Sequence, residues 1–276
     1  MNIKSISLVL SGGGARGLAH VGVLKVLDEF QIPISSICGC SMGGLVASLF
    51  AMGLQISEIE RIARKYSSTR EMMKLVDLTP HRKGFIISQR LRGFLSRFID
   101  DRVNMEDSKI PLCMNAVNLR TGDEVILDRG NLIDAILATT AVPGIFSPFE
   151  SDNITLADGG VVNNLPISIM RNRTENPIVA VDVHQSFSKN TNRNNATSNP
   201  LIVVPEFVRE YYLAELIRTK KLTELQLQQN PPDLLLIPDI DPSISTFFGF
   251  QRVSELITAG EKVTRDKKND LLMLIE

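Results

Sequence analysis

The pentapeptide Gly39-Cys40-Ser41-Met42-Gly43 has the residue types and spacing of a serine nucleophile on a sharp strand-to-helix turn. Such a turn projects the hydroxyl from the end of a strand, and the residues two positions to either side come so close together that glycine is needed there. The helix that follows directs its first N–H groups toward the serine and favours negative charge. The pattern predicts nucleophilic attack by Ser41 on an acyl group.

A second glycine-rich segment, Gly-Gly-Gly-Ala-Arg-Gly at residues 12–17, directly follows an apolar run. Its first, third and sixth residues match the G-x-G-x-x-G pattern of dinucleotide-binding loops, in which a carboxylate about 20 residues further on holds a ribose. Residues 36–40 contain no carboxylate, which argues against a dinucleotide site. We interpret Gly12, Gly13 and Gly14 as backbone N–H donors to an oxyanion, with Gly13 and Gly14 favoured.

A nucleophilic serine needs a base, and the sequence offers Asp158 in the segment Leu-Ala-Asp-Gly-Gly at residues 156–160. Asp158 ends a short apolar stretch, and Gly159 and Gly160 allow a tight turn that brings the carboxylate close to a neighbouring group. Taken alone, an Asp-Gly pair is more simply a hairpin turn signal. The serine turn and the glycine loop together favour the catalytic interpretation.

A histidine could also complete the site, because Ser41, Asp158 and His184 follow the chain order of a Ser-Asp-His triad. His184 comes directly after a predicted strand at residues 178–183, at the edge of a sheet where sites form. We interpret His184 as a residue at the edge of the site, with the triad as the alternative. His20, on the first predicted helix, is expected to be partly buried or polar surface.

Further residues are expected to support the reaction. Arg16 is predicted to brace the glycine loop by hydrogen bonds, with substrate contact or a plain surface position as alternatives. The N–H group of Met42 is a candidate third donor to the oxyanion. The supporting set comprises Arg16, Gly39, Met42, Gly43, Gly159 and Gly160.

The elements that must position these residues alternate between strands and helices. Apolar runs predict buried strands at residues 6–10, 34–40, 112–118, 178–183 and 234–237. Apolar periodicity and capping residues predict helices at residues 16–30, 43–52, 132–140, 205–228 and 252–274. Such alternation predicts an α/β fold of three layers, α/β/α, with a mainly parallel central sheet.

Two segments depart from this alternation. The sequence at residues 57–105 predicts a helical excursion from the sheet. Apolar residues recur there at helical spacing, namely Leu91, Phe94, Leu95 and Phe98. The excursion includes a basic tract at residues 70–99, which contains Arg70, Lys74, Arg82, Lys83, Arg90, Arg92 and Arg97. They would suit phosphate headgroups at a membrane surface, and a solvated helix pair that covers the sheet is an equally weighted alternative. Residues 186–200 are polar and Asn-rich, which predicts a mobile loop.

The composition is that of a soluble globular protein, with 43% hydrophobic and 22% charged residues and a net charge of −1. This charge gives no global field that would recruit nucleic acid. The first apolar run is too short for a signal peptide, and the three cysteines lack metal-site spacing. We therefore expect a cytoplasmic protein, with peripheral membrane contact as an option, that uses no metal, no cofactor and no nucleic acid.

The blocks at residues 12–17, 39–43 and 158–160 together resemble the patatin-like phospholipase family, in its bacterial single-domain branch. Residues 138–146 and 164–166 resemble two further blocks of that family, and the resemblance extends over about residues 5–185. It implies one acyl-hydrolase domain over residues 1–276, with Ser41 as nucleophile and Asp158 as base in a dyad without histidine. The middle positions of the serine block, here Cys40 and Met42, are variable in the family.

The predicted reaction is hydrolysis of a lipid carboxylic ester, such as a phospholipid or lysophospholipid, through an acyl-enzyme on Ser41. A free aspartate has a pKa of about 3.9 and is a weak base, so burial of Asp158 has to raise it. This requirement predicts slow turnover or an alkaline optimum. Two alternatives stay open: a regulatory or adaptor protein with a vestigial site, and a dinucleotide-binding oxidoreductase.

Overall fold

The computed structural model describes residues 4–68, 71, 88–151, 154–184, 206–246 and 249–276. Within these ranges one sheet is formed by the strands β1 (Ile6–Leu10), β2 (Ile34–Gly39), β3 (Leu112–Asn118), β4 (Glu124–Leu127), β5 (Phe149–Ser151), β6 (Ile154–Asp158), β7 (Ile178–Val181) and β8 (Leu234–Leu236). The spatial order is β5-β6-β3-β2-β1-β7-β8, with β4 paired to β3. Each predicted strand therefore lies in the sheet.

Helices connect most of these strands. In the described residues they are α1 (Ala19–Glu29), α2 (Met42–Ala51), α3 (Ile56–Tyr66), α4 (Ser88–Leu95), α5 (Leu132–Thr139), α6 (Ile167–Arg171), α7 (Glu206–Gln229), α8 (Val253–Asp266) and α9 (Lys268–Ile275). The helix predicted at residues 252–274 is two helices that meet at Lys267, whose N–H group turns back to the carbonyl of Thr264. Helix α6 has five residues, too few for apolar periodicity to reveal it.

The sheet separates two apolar layers, because alternate residues of a strand face opposite sides. Leu8 and Leu10 of β1 pack into the larger cluster, which includes residues of α1, α2 and α8. Val9 faces the other side, where it packs with Ile167 and Met170 of α6. Helices thus cover both faces, and the predicted three-layer α/β/α fold is confirmed.

Strand β3 is the place where the parallel and antiparallel parts of the sheet meet. Strands β1, β2, β3, β7 and β8 pair in parallel, whereas β4 and β6 run antiparallel to β3. Strand β4 occupies one edge of β3 at both Met114 and Ala116. On the other edge, Met114 pairs with Gly39 of β2 and Ala116 pairs with Asp158 of β6. Strands β2 and β6 therefore approach each other end to end along one edge of β3.

The described part of the predicted helical excursion consists of α3, α4 and the turns beside them. Leu91 and Leu95 of α4 are buried in the larger core cluster. Tyr66, Phe94 and Phe98 form mutual edge-to-face contacts beside it. This packing favours a helix pair that covers the sheet over an apolar face left free for a membrane.

Several expectations fall outside the described residues. They concern the basic side chains Arg70, Lys74, Arg82 and Lys83 and the loop at residues 186–200. No helix in the described ranges has both the length and the apolar character needed to cross a bilayer.

Candidate active site

Ser41 lies at the tight turn between β2 and α2, with a φ of 52° and a ψ of −123°. A positive φ is uncommon for a residue other than glycine. A Cβ atom at position 39 would lie 2.5 Å from the backbone of Gly43, and one at position 43 would lie 2.5 Å from the carbonyl oxygen of Leu10. The Ser41 N–H group donates to Thr139 Oγ1 at 2.9 Å and thereby ties the turn to the end of α5. These contacts explain the two glycines of the block.

Asp158 is the last residue of β6, and the end-to-end approach of β6 and β2 brings it to Ser41. Both side chains are buried, with 5% of Asp158 and 7% of Ser41 exposed. The Ser41 hydroxyl is close enough to the Asp158 carboxyl group to act on the pKa of that group. The Gly160 N–H group donates to Asp158 Oδ1 at 2.8 Å, and the Cys40 thiol lies 3.6 Å from the same oxygen. The site thus joins two residues that are far apart in the sequence.

Burial raises the pKa of Asp158 from an ordinary value of 3.8 to about 6. The interactions with the Ser41 hydroxyl, the Gly160 N–H group and the Cys40 thiol act in the opposite direction, because they stabilise the charged carboxylate. A carboxylate whose conjugate acid has a pKa near 6 is a better proton acceptor at neutral pH than an exposed aspartate. Asp158 is therefore buried and its pKa is raised, as expected for a base that acts at neutral pH.

The glycine loop lies beside Ser41, but its three leading N–H groups are not equivalent. The Gly12 N–H group donates to the Asn164 carbonyl at 3.0 Å, and Asn164 Nδ2 approaches the Gly12 carbonyl at 3.4 Å. Two hydrogen bonds thus hold Gly12 against the segment that follows Asp158. The N–H group of Gly12 already has an acceptor, which differs from its expected role as an oxyanion donor. The N–H groups of Gly13 and Gly14 have no acceptor among the described residues.

Residues before α8 hold this loop in place. The Ala15 N–H group donates to the Thr246 carbonyl at 2.7 Å, and a Cβ atom at Gly14, whose φ is 53°, would overlap the same oxygen. Arg16 Nε donates to the Ile244 carbonyl at 3.0 Å. This geometry agrees with the bracing role expected for Arg16.

The chain after Asp158 forms a 3₁₀ turn, Gly159–Val161, in place of the hairpin that an Asp-Gly pair alone would suggest. A Cβ atom at Gly159 would overlap the side chain of buried Asn115. Asn115 Nδ2 donates at 2.8 Å to the carbonyl of Asn163, which holds the turn against β3. A Cβ atom at Gly160 would lie 2.9 Å from Asn164 Oδ1 and 3.0 Å from Asp158 Oδ1.

His184 and His20 are not among the groups that act on the Asp158 carboxyl group. The groups that act on the His184 ring are Asp182, Arg16 and the backbone of Gly12, and burial lowers the pKa of His184. This position is at the edge of the glycine loop. His20 is fully buried, donates through Nε2 to the Ser11 carbonyl at 2.9 Å, and has a pKa lowered by burial to about 4. His20 is a core residue, more buried than the sequence suggested.

Sequence reasoning did not assign roles to Thr139, Asn164 or Asn115, although each holds part of the site. Thr139 and Asn164 lie in the blocks at residues 138–146 and 164–166, so the resemblance gave a signal without a function. Asn115 lies inside an apolar strand, where a fully buried amide is itself unusual.

The chain is similar in sequence to one known family and to several proteins related to it. The family model described as patatin-like phospholipase matches residues 8–171. The chain is 35% identical over 185 residues to lysophospholipase NTE1 of Candida glabrata, with 65% of this chain and 10% of that protein covered. It is 33% identical over 181 residues to an uncharacterized NTE family protein of Mycobacterium bovis, with 66% and 49% covered. The chain spans about half or less of the length of these relatives.

Two solved structures share the fold at low sequence identity. VipD from Legionella pneumophila superposes with a TM-score of 0.61 at 13% identity, over 100% of this chain and 67% of that one. Human GIVD cytosolic phospholipase A2 in complex with methyl gamma-linolenyl fluorophosphonate gives a TM-score of 0.53 at 11% identity, over 99% and 58%. The fold agrees with the family match, which covers more than half of the sequence. The chain belongs to the patatin-like phospholipase family.

Proposed function

We propose that this chain is a serine acyl hydrolase that cleaves carboxylic esters of lipids through a Ser41–Asp158 dyad. The observation that supports this function best is the joint burial of the two side chains, with Ser41 acting on the Asp158 carboxyl group. The glycine loop adds the N–H groups of Gly13 and Gly14, for which the described residues provide no acceptor. A base close to the hydroxyl is what activation of a serine requires.

In the proposed reaction, Asp158 accepts the Ser41 proton while Oγ attacks the ester carbonyl carbon. The carbonyl oxygen gains negative charge, which the N–H groups of Gly13 and Gly14 stabilise, with that of Met42 as a third donor. Asp158 then returns the proton to the leaving alcohol, and an acyl group remains on Ser41. In the second half, Asp158 takes a proton from water, which attacks the acyl-enzyme and releases the fatty acid and free Ser41.

We propose phospholipids or lysophospholipids as the substrate class, because lysophospholipase NTE1 and human cytosolic phospholipase A2 are among the similar proteins. The setting that we propose is the cytoplasm, with peripheral contact to a lipid surface. Helix α7 offers exposed apolar side chains for this contact, since 64% of Tyr211, 51% of Ile217 and 54% of Leu225 are exposed. Arg218 Nη1 of the same helix donates at 2.6 Å to the Val161 carbonyl, in the turn that follows Asp158.

A fluorophosphonate probe with an alkyl chain tests the activity directly, because it reacts with an activated serine and leaves an unactivated one unmodified. We expect the probe to label the wild-type chain at Ser41 and to block ester hydrolysis. Ser41→Ala should abolish both labelling and hydrolysis. Ser48→Ala is the matched control, because Ser48 is a buried serine of α2 that donates to the Gly44 carbonyl. A wild-type chain that stays unlabelled would indicate a vestigial site and refute the proposal.

A further inference from the structure

The thiol of Cys40 lies beside the Asp158 carboxyl group. Cys40 is fully buried, and its N–H group donates to the Leu10 carbonyl at 3.0 Å, which fixes its backbone at the end of β2. Its Sγ atom is 3.6 Å from Asp158 Oδ1, a distance suited to an S–H···O hydrogen bond. The residue before the nucleophile therefore contacts the base.

Asp158 Oδ1 accepts hydrogen bonds from both the Cys40 thiol and the Gly160 N–H group. We propose that Cys40 is a positioning residue, whose thiol, together with the Gly160 N–H group, holds Oδ1 and turns the other carboxylate oxygen toward Ser41. The consequence for catalysis rests on the proposed function, whereas the contact between thiol and carboxyl group can be measured without it.

The surroundings keep the thiol protonated, as a donor must be. Burial and the negative charges of Asp158 and Glu124 raise the pKa of Cys40. Glu124 reaches this region from β4 through a 2.8 Å hydrogen bond from Asn115 Nδ2. Around Asp158 itself, the groups that act on the carboxyl are the Ser41 hydroxyl, the Gly160 N–H group and the thiol. A donated hydrogen bond favours the charged carboxylate, so loss of the thiol should make Asp158 easier to protonate.

The test compares variants at position 40 that keep or remove a donor. Cys40→Ala and Cys40→Val remove it, and the second fills the volume if the smaller side chain impairs folding. Cys40→Ser keeps a hydroxyl donor. In Cys40→Ala and Cys40→Val we expect the acid limb of the pH profile of kcat/KM for ester hydrolysis to move to higher pH by about half a unit or more. At pH values below this limb, kcat/KM should then be about threefold lower than in the wild type. The serine variant should retain the wild-type limb.

Cys38→Ala is the matched control, because it removes another buried thiol of the same strand that contacts Cys113. It should leave the limb unchanged. The pKa of Asp158 is also read directly from its ¹³Cγ resonance, assigned by its disappearance in Asp158→Asn. If this pKa is equal in wild type, Cys40→Ala and Cys40→Val, the inference is overturned. If the resonance shifts as expected while no ester is hydrolysed, the positioning contact stands and the proposed function fails.

Discussion

The two residues of the candidate dyad come from parts of the sheet that are built differently. Ser41 follows β2, in the parallel part, and its turn is crowded by backbone: a Cβ atom at Gly43 would lie 2.5 Å from the carbonyl oxygens of Leu10 and Ser11. Asp158 ends the antiparallel β6, and its turn is crowded by side chains, since a Cβ atom at Gly160 would meet Asn164 and Asp158 itself. Backbone in a central sheet cannot yield, whereas side chains can rotate.

The two turns therefore differ in the kind of unfavourable energy that each contains. The turn at Ser41 keeps an unfavourable φ of 52° because the surrounding backbone allows no other path. The backbone at Asp158 is relaxed, with a φ of −50° and a ψ of 130°, and what is unfavourable there is a buried carboxyl group. The unfavourable energy is thus conformational at the Ser41 turn, in the parallel part of the sheet. At Asp158, in the antiparallel part, it is electrostatic.

Asp158→Asn tests the electrostatic half of this comparison and should have the largest effect. We expect kcat/KM to fall by about 10³-fold or more, because the amide cannot accept the serine proton. Stability should change in the opposite sense. Asp158 has a pKa of about 6 in the folded chain and an ordinary value of 3.8, so the folded state loses stability as pH rises between these values. Above pH 6 the neutral amide avoids this cost.

The difference between 3.8 and about 6 corresponds to roughly 3 kcal/mol, of which a substitution recovers part. At pH 8 we expect Asp158→Asn to raise Tm by about 2–6 °C in differential scanning calorimetry. Asp128→Asn is the control with the opposite sign, because Arg173 lowers the pKa of Asp128, and its charge stabilises the folded chain. A lower Tm for Asp158→Asn at pH 8 would contradict a costly buried carboxylate.

Two alanine substitutions compare the crowded turns directly. Gly43→Ala forces a methyl group against the carbonyl oxygens of Leu10 and Ser11 and should lower stability by about 3 kcal/mol or more, with loss of folded protein. Gly160→Ala should stay folded, with a Tm within about 3 °C of wild type, because its neighbours are side-chain oxygens. It should nevertheless lower kcat at least tenfold, since the methyl group displaces the Asp158 carboxyl group.

Thermal melts and steady-state kinetics of both variants measure the contrast. Gly93→Ala is a useful reference, because Gly93 is an exposed position of α4 where a Cβ atom meets nothing within 4 Å. It should raise stability by about 0.5–1 kcal/mol, as alanine does in a helix. Equal losses of stability in Gly43→Ala and Gly160→Ala would remove the distinction between the two parts of the sheet.

The same contrast explains what could be predicted from the sequence. The turn at Ser41 follows from five consecutive residues, and apolar runs revealed the parallel strands because they are buried on both faces. The partner of Gly12 could not be predicted, because Asn164 lies 152 positions away and their contact depends on how β6 pairs with β3. Strand β5 has three residues and no apolar run, so its pairing with β6 also escaped prediction.

Helix α7 extends the comparison to the outside of the molecule, because it rests on the antiparallel part through Arg218 and the Val161 carbonyl. If its exposed apolar side chains meet a lipid surface, Ile217→Ser should weaken binding to phosphatidylcholine vesicles by about three- to tenfold in a sedimentation assay. A soluble short-chain ester should be hydrolysed at the wild-type rate, because about half of Ile217 is exposed to solvent. Met273→Ser is the matched control, since 64% of that side chain is exposed on α9. Equal vesicle binding by wild type and both variants would exclude α7 as the site of contact with the lipid surface. Reduced hydrolysis of the soluble ester by Ile217→Ser would instead indicate that α7 positions the turn after Asp158.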